Sequence, residues 1–382
     1  HPETFVAGAN LVLNSAEAPL TALTVYGHST QDGTPSPDNP VPIVSAGDSG
    51  EINVTVSGKN LLDTTKGSLT VGKPYVLNGR TYLLNADGTV DITTQDATRP
   101  TSSVFLNNGP IYLPYGEYTV SGNDTSIAVN VQIVDSEDTN VRQINVNTGQ
   151  SKTFEIDSGE HIKYIWMYGD AGTEINGKVS AQIEIGTVAT AYEPYKTPQT
   201  LTLSTPGGLP GIPVDSGGNY TDESGQQWVC DEIDLKSGKY VKRVEKIVID
   251  GEEMKFTPDG LYWNLPQHSV EGVIYLSPIM SMYFPRGIFL VNNDYDFIFT
   301  TSRLIGSYFS SVNDLNEFCT EKSAEGQPLE LYYGIEPIET DLPAEEIAAY
   351  KALHTYTPNT TVSNDAGAWM EVGYNEFSKQ TF

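Results

Sequence analysis

The rhythm of its middle third constrains this chain most. Between Gly58 and Lys196, short runs of apolar residues alternating with polar ones recur at 75–77, 82–84, 90–93, 104–106, 117–121, 127–134 and 162–167. Turn-forming clusters punctuate them, among them Asn85-Ala-Asp-Gly88, Asn107-Asn-Gly109, Ser121-Gly-Asn123, Asp170-Ala-Gly172 and Asn176-Gly177. A period of two sends successive side chains to opposite faces, which is the signature of a half-buried strand. Many short strands at even spacing predict a sandwich or jelly roll. Composition agrees, with 22 Tyr and only 18% charged residues against 38% hydrophobic ones, so the fold class expected is mainly β.

The flanks read as a second β-rich unit. Leu11-Val12-Leu13, Leu20 to Tyr26 and the alternating Ile52 to Val56 precede the strand-dense segment, and QTLTLSTP after Lys196 resumes the extended pattern. Residues 58–197 are therefore expected to be a jelly-roll β-sandwich inserted into a parent domain built from 1–57 and 198–382, with residues 57 and 198 close in space. Two short helices are predicted in the parent. One covers 311–322, where Val312, Leu315, Phe318, Cys319 and Lys322 share a face. The other covers 343–354, opening on a proline with Glu345 and Glu346 in its first turn. The segment with prolines at 35, 37, 40 and 42 favours extended geometry, as a rigid surface loop or a docking arm.

The formal charge of −28 excludes more than it proposes. So acidic a surface repels phosphate backbones and anionic membranes, so nucleic acid is not an expected partner. The longest apolar patches, such as 287–291, are strand-sized, and membrane insertion is not expected. No basic region precedes an apolar stretch at the start, so no signal peptide is expected there. Cys230 and Cys319 are too few for a disulfide framework, and Cys319 reads as a small buried hydrophobe.

Two stretches carry a resemblance. GKNLLD (58–63) and QIEIGTVATAYEPYK (182–196) match the opening and closing patterns of a jelly-roll module. The segment between them resembles the carbohydrate-binding-module-like domains of tail and baseplate appendages in phages and prophages of Gram-positive bacteria. The flanking PLTALTVYGHSTQDGTPSPDNPVPIVSAGDSG, GLPGIPVDSGGNYTDESGQQWVCDEIDL and TYTPNTTVSNDAGAWMEVGY are similar to the same group of structural proteins. The resemblance implies a non-enzymatic structural or adhesive component of a tail tip or baseplate, located in the virion. It implies contact with other tail proteins and with host cell-surface polysaccharide, and a homo-oligomer, with a trimer favoured. In such a module YEPY would end the domain, with Pro194 stopping the ladder and Glu193 in the turn.

Chemistry is sparse. The five histidines form no H-x-x-x-H or H-E-x-x-H pair, and no P-loop, G-x-G-x-x-G or G-x-S-x-G is present, so no catalytic residue is assigned. The alternative, a tail-borne glycan depolymerase or wall hydrolase, needs two facing carboxylates about 5 to 9.5 Å apart. Cofactors are not expected. A structural calcium is the one ion the resemblance allows, and acids cluster at 135–138, 231–234, 250–253 and 294–296, but none fits a calcium-loop pattern and solvated turns are the expectation. Sugars stack their C–H faces on aromatic rings and bond their hydroxyls to amides and carboxylates. The glycan-binding candidates are Tyr164, Trp166 and Tyr168 on one face of a strand, and Tyr112 and Tyr115 beside Pro110 and Pro114. Large aromatics dominate sandwich cores, so Trp166 is expected to be core. If Ile165 and Met167 are the core instead, the aromatic stripe is displayed. Tyr262 and Trp263, after an Asp-Gly turn, are a further aromatic pair.

Overall fold

An isolated strand leaves every backbone N–H and C=O unpaired, and this chain meets that demand by antiparallel pairing. The computed structural model describes residues 4–122, 127–147, 149–249 and 312–376, together with residues 283 and 309 and short strand pieces between 250 and 300. The molecule is mainly β, and among the described residues there are two α-helices and every ladder between strands is antiparallel. Asn123, the charged positions 250, 252, 253, 294 and 296, and residues 287 and 288 lie outside the described residues.

Two apolar cores form from separate stretches of chain. The first draws only on residues between 61 and 185. One of its sheets runs in the order Thr101–Asn107, His161–Gly169, Ala128–Val134, Asn140–Val146. Val104, Val129, Val131, Ile165 and Met167 from that sheet share the core with Tyr118, Val120, Phe154, Ile156 and Ile183. The latter belong to a three-stranded sheet of Ser151–Ile156, Gly116–Gly122 and Ala181–Ile185. A further sheet, which includes Arg80–Leu84 and Val90–Thr94, adds Tyr82, Leu84, Val90 and Ile92. Three strands of this stretch were not predicted, at Asn140–Val146, Ser151–Ile156 and Asn176–Val179. Each buries only one or two apolar side chains deeply, so their alternation is faint in sequence.

The second core lies between a seven-stranded sheet and a four-stranded one. Leu23, Val25, Met370 and Val372 come from the former, and Leu11, Leu13, Ile52, Val54, Val56, Leu201, Leu203 and Val362 from the latter. Helix Ala344–Ala352 opens after Pro343 with two acids in its first turn, and Tyr350 joins this core together with Leu353 just beyond its end. Its Glu346 accepts the Ser204 amide at 3.0 Å, which ties the helix to a strand edge. Helix Val312–Ala324 buries Leu315 and Cys319, and Cys230 and Cys319 are both buried and form no disulfide. The proline-bearing loop is closed by the two-residue ladder Ser29–Thr30 with Val44–Ser45 and by Gln31 donating to the Val41 carbonyl at 2.9 Å.

The chain leaves the four-stranded sheet at the end of Glu51–Gly58 and returns as Gln199–Ser204, paired directly beside it with Val56 opposite Gln199. A buried polar clasp closes this exit and re-entry. Lys59, 6% exposed, donates to Thr190 Oγ1 (2.5 Å) and the Ala191 carbonyl (2.8 Å) and pairs with Glu193 at 2.9 Å. Asn60 donates to the Glu193 carbonyl, and Gln182 Oε1 accepts the Glu193 amide, both at 2.9 Å. Buried Glu184 accepts from Gln182 and from both the amide and hydroxyl of Thr190. Asn359, at the start of strand Asn359–Asn364 in the same four-stranded sheet, donates to Glu193 Oε1 at 2.6 Å. Glu193 is thus an ion-pair partner rather than only a turn residue, while Tyr192 donates to the Asp87 carbonyl at 2.6 Å.

Removing one member of a buried pair strands the other's charge, typically at a cost of about 3 kcal/mol or more. Lys59→Met is therefore expected to lower the urea-unfolding free energy by about 3 kcal/mol, and adding Glu193→Gln to recover part of that loss. A Lys59→Met protein within about 0.5 kcal/mol of wild type would show that the clasp is not a stabilising element.

Candidate functional site

Strand His161–Gly169 decides the aromatic question. Ile165 and Met167 are fully buried in the core, whereas Tyr164 and Trp166 are half-buried and Tyr168 is 39% exposed. The expectation that Trp166 is core is therefore corrected: the alternation assigns the inward face to Ile165 and Met167, so all three aromatics point away from it. Register places neighbours around them. Trp166 lies opposite Phe105 on one side and Asn130 on the other, Asn130 lies opposite Asn145, and Gln132 joins Tyr164 to Gln143. The Phe105 and Tyr164 rings pack at 5.5 Å. Gln143 Nε2 donates to Asn145 Oδ1 at 2.7 Å. Tyr168 donates to Asp170 at 2.9 Å, and that bond to a carboxylate raises its pKa. The result is a row of rings flanked by amides on one face of one sheet.

Phe105, Asn130, Gln132, Gln143 and Asn145 escaped the sequence reading. Phe105, Asn130 and Gln132 were legible, since VFL and AVNVQIV alternate cleanly once Val104, Leu106, Val129, Val131 and Ile133 are taken as inward. Gln143 and Asn145 were not, because their strand was not recognised.

Tyr112 and Tyr115 occupy a different place. They line a cleft of about 550 Å³ that none of the three stripe aromatics lines. Tyr112 packs against His161 at 4.9 Å between ring centroids, and Tyr115 bonds the Glu155 carboxylate, which raises its pKa. The structure thus brings Tyr164, Trp166 and Tyr168 together and separates them from the other pair. Tyr262 falls in strand Tyr262–Asn264 with Trp263, but their side chains lie outside the described residues. Comparison with protein-family models, with curated proteins and with solved structures finds no match.

Among the described residues no group of three or more His, Cys, Asp or Glu is placed to hold a metal ion. The acids at 135–138 form a hairpin turn in which Asp135 Oδ1 accepts the Glu137 and Thr139 amides, both at 2.9 Å. Asp231 departs from the expected solvated turn, being 1% exposed. The ladder between Lys239–Ile249 and Leu329–Asp341 carries a bulge between Lys242 and Val244, with the extra residues on the second strand, and Asp231 Oδ1 accepts the amides of Arg243 (2.7 Å) and Val244 (2.8 Å). Tyr240 donates to Oδ2 at 2.6 Å.

Burial outweighs these donors and raises the Asp231 pKa to about 6 from 3.8. A carboxyl whose folded pKa lies above its unfolded value stabilises the fold below pH 4, and that stability is lost as pH rises through 6. The difference is on the order of 3 kcal/mol. Asp231→Asn keeps an acceptor for the two amides and cannot titrate, so its stability relative to wild type is expected to rise between pH 4 and 7. Chemical denaturation at several pH values reads this directly, and an unchanged difference across that range contradicts the assignment.

Proposed function

We propose that this chain is a non-enzymatic attachment component of a phage or prophage tail tip or baseplate. In this reading residues 58–197 are an inserted jelly-roll module whose outward face binds host-surface polysaccharide, and the parent sandwich packs against other tail proteins. One observation carries it: Tyr164, Trp166 and Tyr168 stand outward from a sheet whose inward residues fill a core, with half-buried Gln132 and the exposed amides of Gln143 and Asn145 on the same face. Rings take the apolar faces of a sugar, and amides supply donors and acceptors for its hydroxyls. A packed core behind the strand holds the rings in place, which limits the ordering cost of binding.

The net charge of −28 narrows the ligand. A strongly acidic protein is repelled by polyanionic polymers, which favours uncharged polysaccharide. A homo-oligomer, a trimer in this proposal, multiplies individually weak sugar contacts through effective concentration.

The test is binding of the full chain to purified neutral wall polysaccharides from candidate hosts, with Trp166→Ala and Tyr168→Ala alongside. Loss of such an aromatic contact removes about 1.4 kcal/mol or more, so Trp166→Ala is expected to weaken binding about tenfold or more, with a smaller loss for Tyr168→Ala. Wild type that binds no wall polysaccharide, or folded variants that bind as wild type does, would reject the proposal.

A further inference from the structure

The cleft holding Tyr112 and Tyr115 is built by both units. One wall comes from the loop around Tyr112 and Tyr115 and from residues 157–160. The other comes from Asn53, Thr55 and Ser57 on Glu51–Gly58 and from residues 363–365, with Tyr195 of the returning chain between them. Along that strand Ile52, Val54 and Val56 are buried in the parent core, so alternation turns Asn53 and Thr55 toward the cleft. Its volume of about 550 Å³ lies within the range of small-ligand sites, roughly 300–1,000 Å³.

Tyr112 and Tyr115 are 74% and 67% exposed, which is unusual for two large rings close together in sequence. Their loop is nonetheless fixed. Ile111 and Ile162 exchange both backbone hydrogen bonds, at 2.8 and 3.1 Å, and Tyr118 donates to the Pro114 carbonyl at 2.7 Å. The facing wall is fixed as well: the Asn53 amide and Nδ2 both donate to Asp365 at 2.9 Å, and Thr202 donates to Asn53 Oδ1 at 2.7 Å. Rigid exposed rings opposite a rigid wall of amides and hydroxyls form a surface already ordered for a polyol.

The geometry points to a second saccharide site in this cleft, composite between the two units and specific for an uncharged sugar segment. The inference rests on the glycan-binding reading of the chain but not on the outward aromatic face. Tyr112 and Tyr115 take the apolar sugar faces, and Thr55 and Asn53 meet the hydroxyls. Carboxylates at Asp157, Glu160 and Asp365 disfavour anionic sugars, with Arg142 already engaged by Glu160 at 2.6 Å and Asp157 at 3.5 Å.

The experiment titrates the full chain with a panel of neutral hexose and N-acetylhexosamine tetrasaccharides and reads stoichiometry by calorimetry. The variants are Tyr112→Ala/Tyr115→Ala, Trp166→Ala and Thr55→Arg, the last filling the cleft from the parent wall. Two sites are expected in wild type. One is lost in Tyr112→Ala/Tyr115→Ala and equally in Thr55→Arg, and the other is lost in Trp166→Ala. A single site lost in Trp166→Ala and untouched by the other two overturns the cleft site while the outward-face reading stands. A single site lost in the cleft variants and untouched by Trp166→Ala supports the cleft and removes the outward face. Wild type that binds no tetrasaccharide in the panel overturns the cleft site as stated.

Discussion

The architecture depends on the place where the chain leaves one sandwich and comes back to it. Glu51–Gly58 and Gln199–Ser204 are neighbours in a four-stranded sheet, and everything between them is a separate core. Closing a loop of that length is entropically unfavourable, though the cost grows only slowly with length. Ladder bonds between the two strands and the clasp of Lys59 and Asn60 with residues 182–193 offset it. The clasp is fully connected: the Lys59 ammonium has three acceptors and the Glu184 carboxylate three donors. A buried polar network of this kind specifies one arrangement because any slip leaves a charge unpaired. Asn359, at the start of the strand that pairs with Glu51–Gly58, ties the clasp to the sheet that the chain leaves and rejoins.

That junction also makes a cleft. A strand whose inward side chains serve the parent core must turn its alternate residues outward, and here they face the loop of Tyr112 and Tyr115. The outward aromatic face arises from the same rule applied once more. In His161–Gly169 both alternating sets contain large apolar side chains, and only the position of the opposing sheet decides which set is covered. Ile165 and Met167 pack against it, and the rings are left on the other side.

Acidity runs through both surfaces. Among the described residues, several carboxylates away from the clasp and from Asp231 serve turns or pair with cations, as at Asp135, Asp222 and Asp341. Surface pairs of this sort contribute little to stability. Their sum instead sets a negative field that repels anionic groups, and it is this field more than any single residue that narrows the proposed ligand to neutral sugars.

Much of this was legible in the sequence by itself. Period-two alternation and turn residues determined a mainly β chain, and most of the strands in 58–197 were located to within a few residues. The helix after Pro343 was readable because Glu345 and Glu346 mark its start. Strands Asn140–Val146 and Ser151–Ile156 were not, since edge positions bury too few side chains to leave a pattern. The aromatic residues could be named from sequence, but Trp166 was assigned to the wrong face, and Gln143 and Asn145 lay in an unseen strand. The partner of Glu193 and the burial of Asp231 were likewise beyond reach. Local sequence determines which residues alternate. Only the tertiary structure decides which face is covered, which bulge needs a carboxylate and which distant lysine meets a glutamate, because each depends on what packs opposite, far away along the chain.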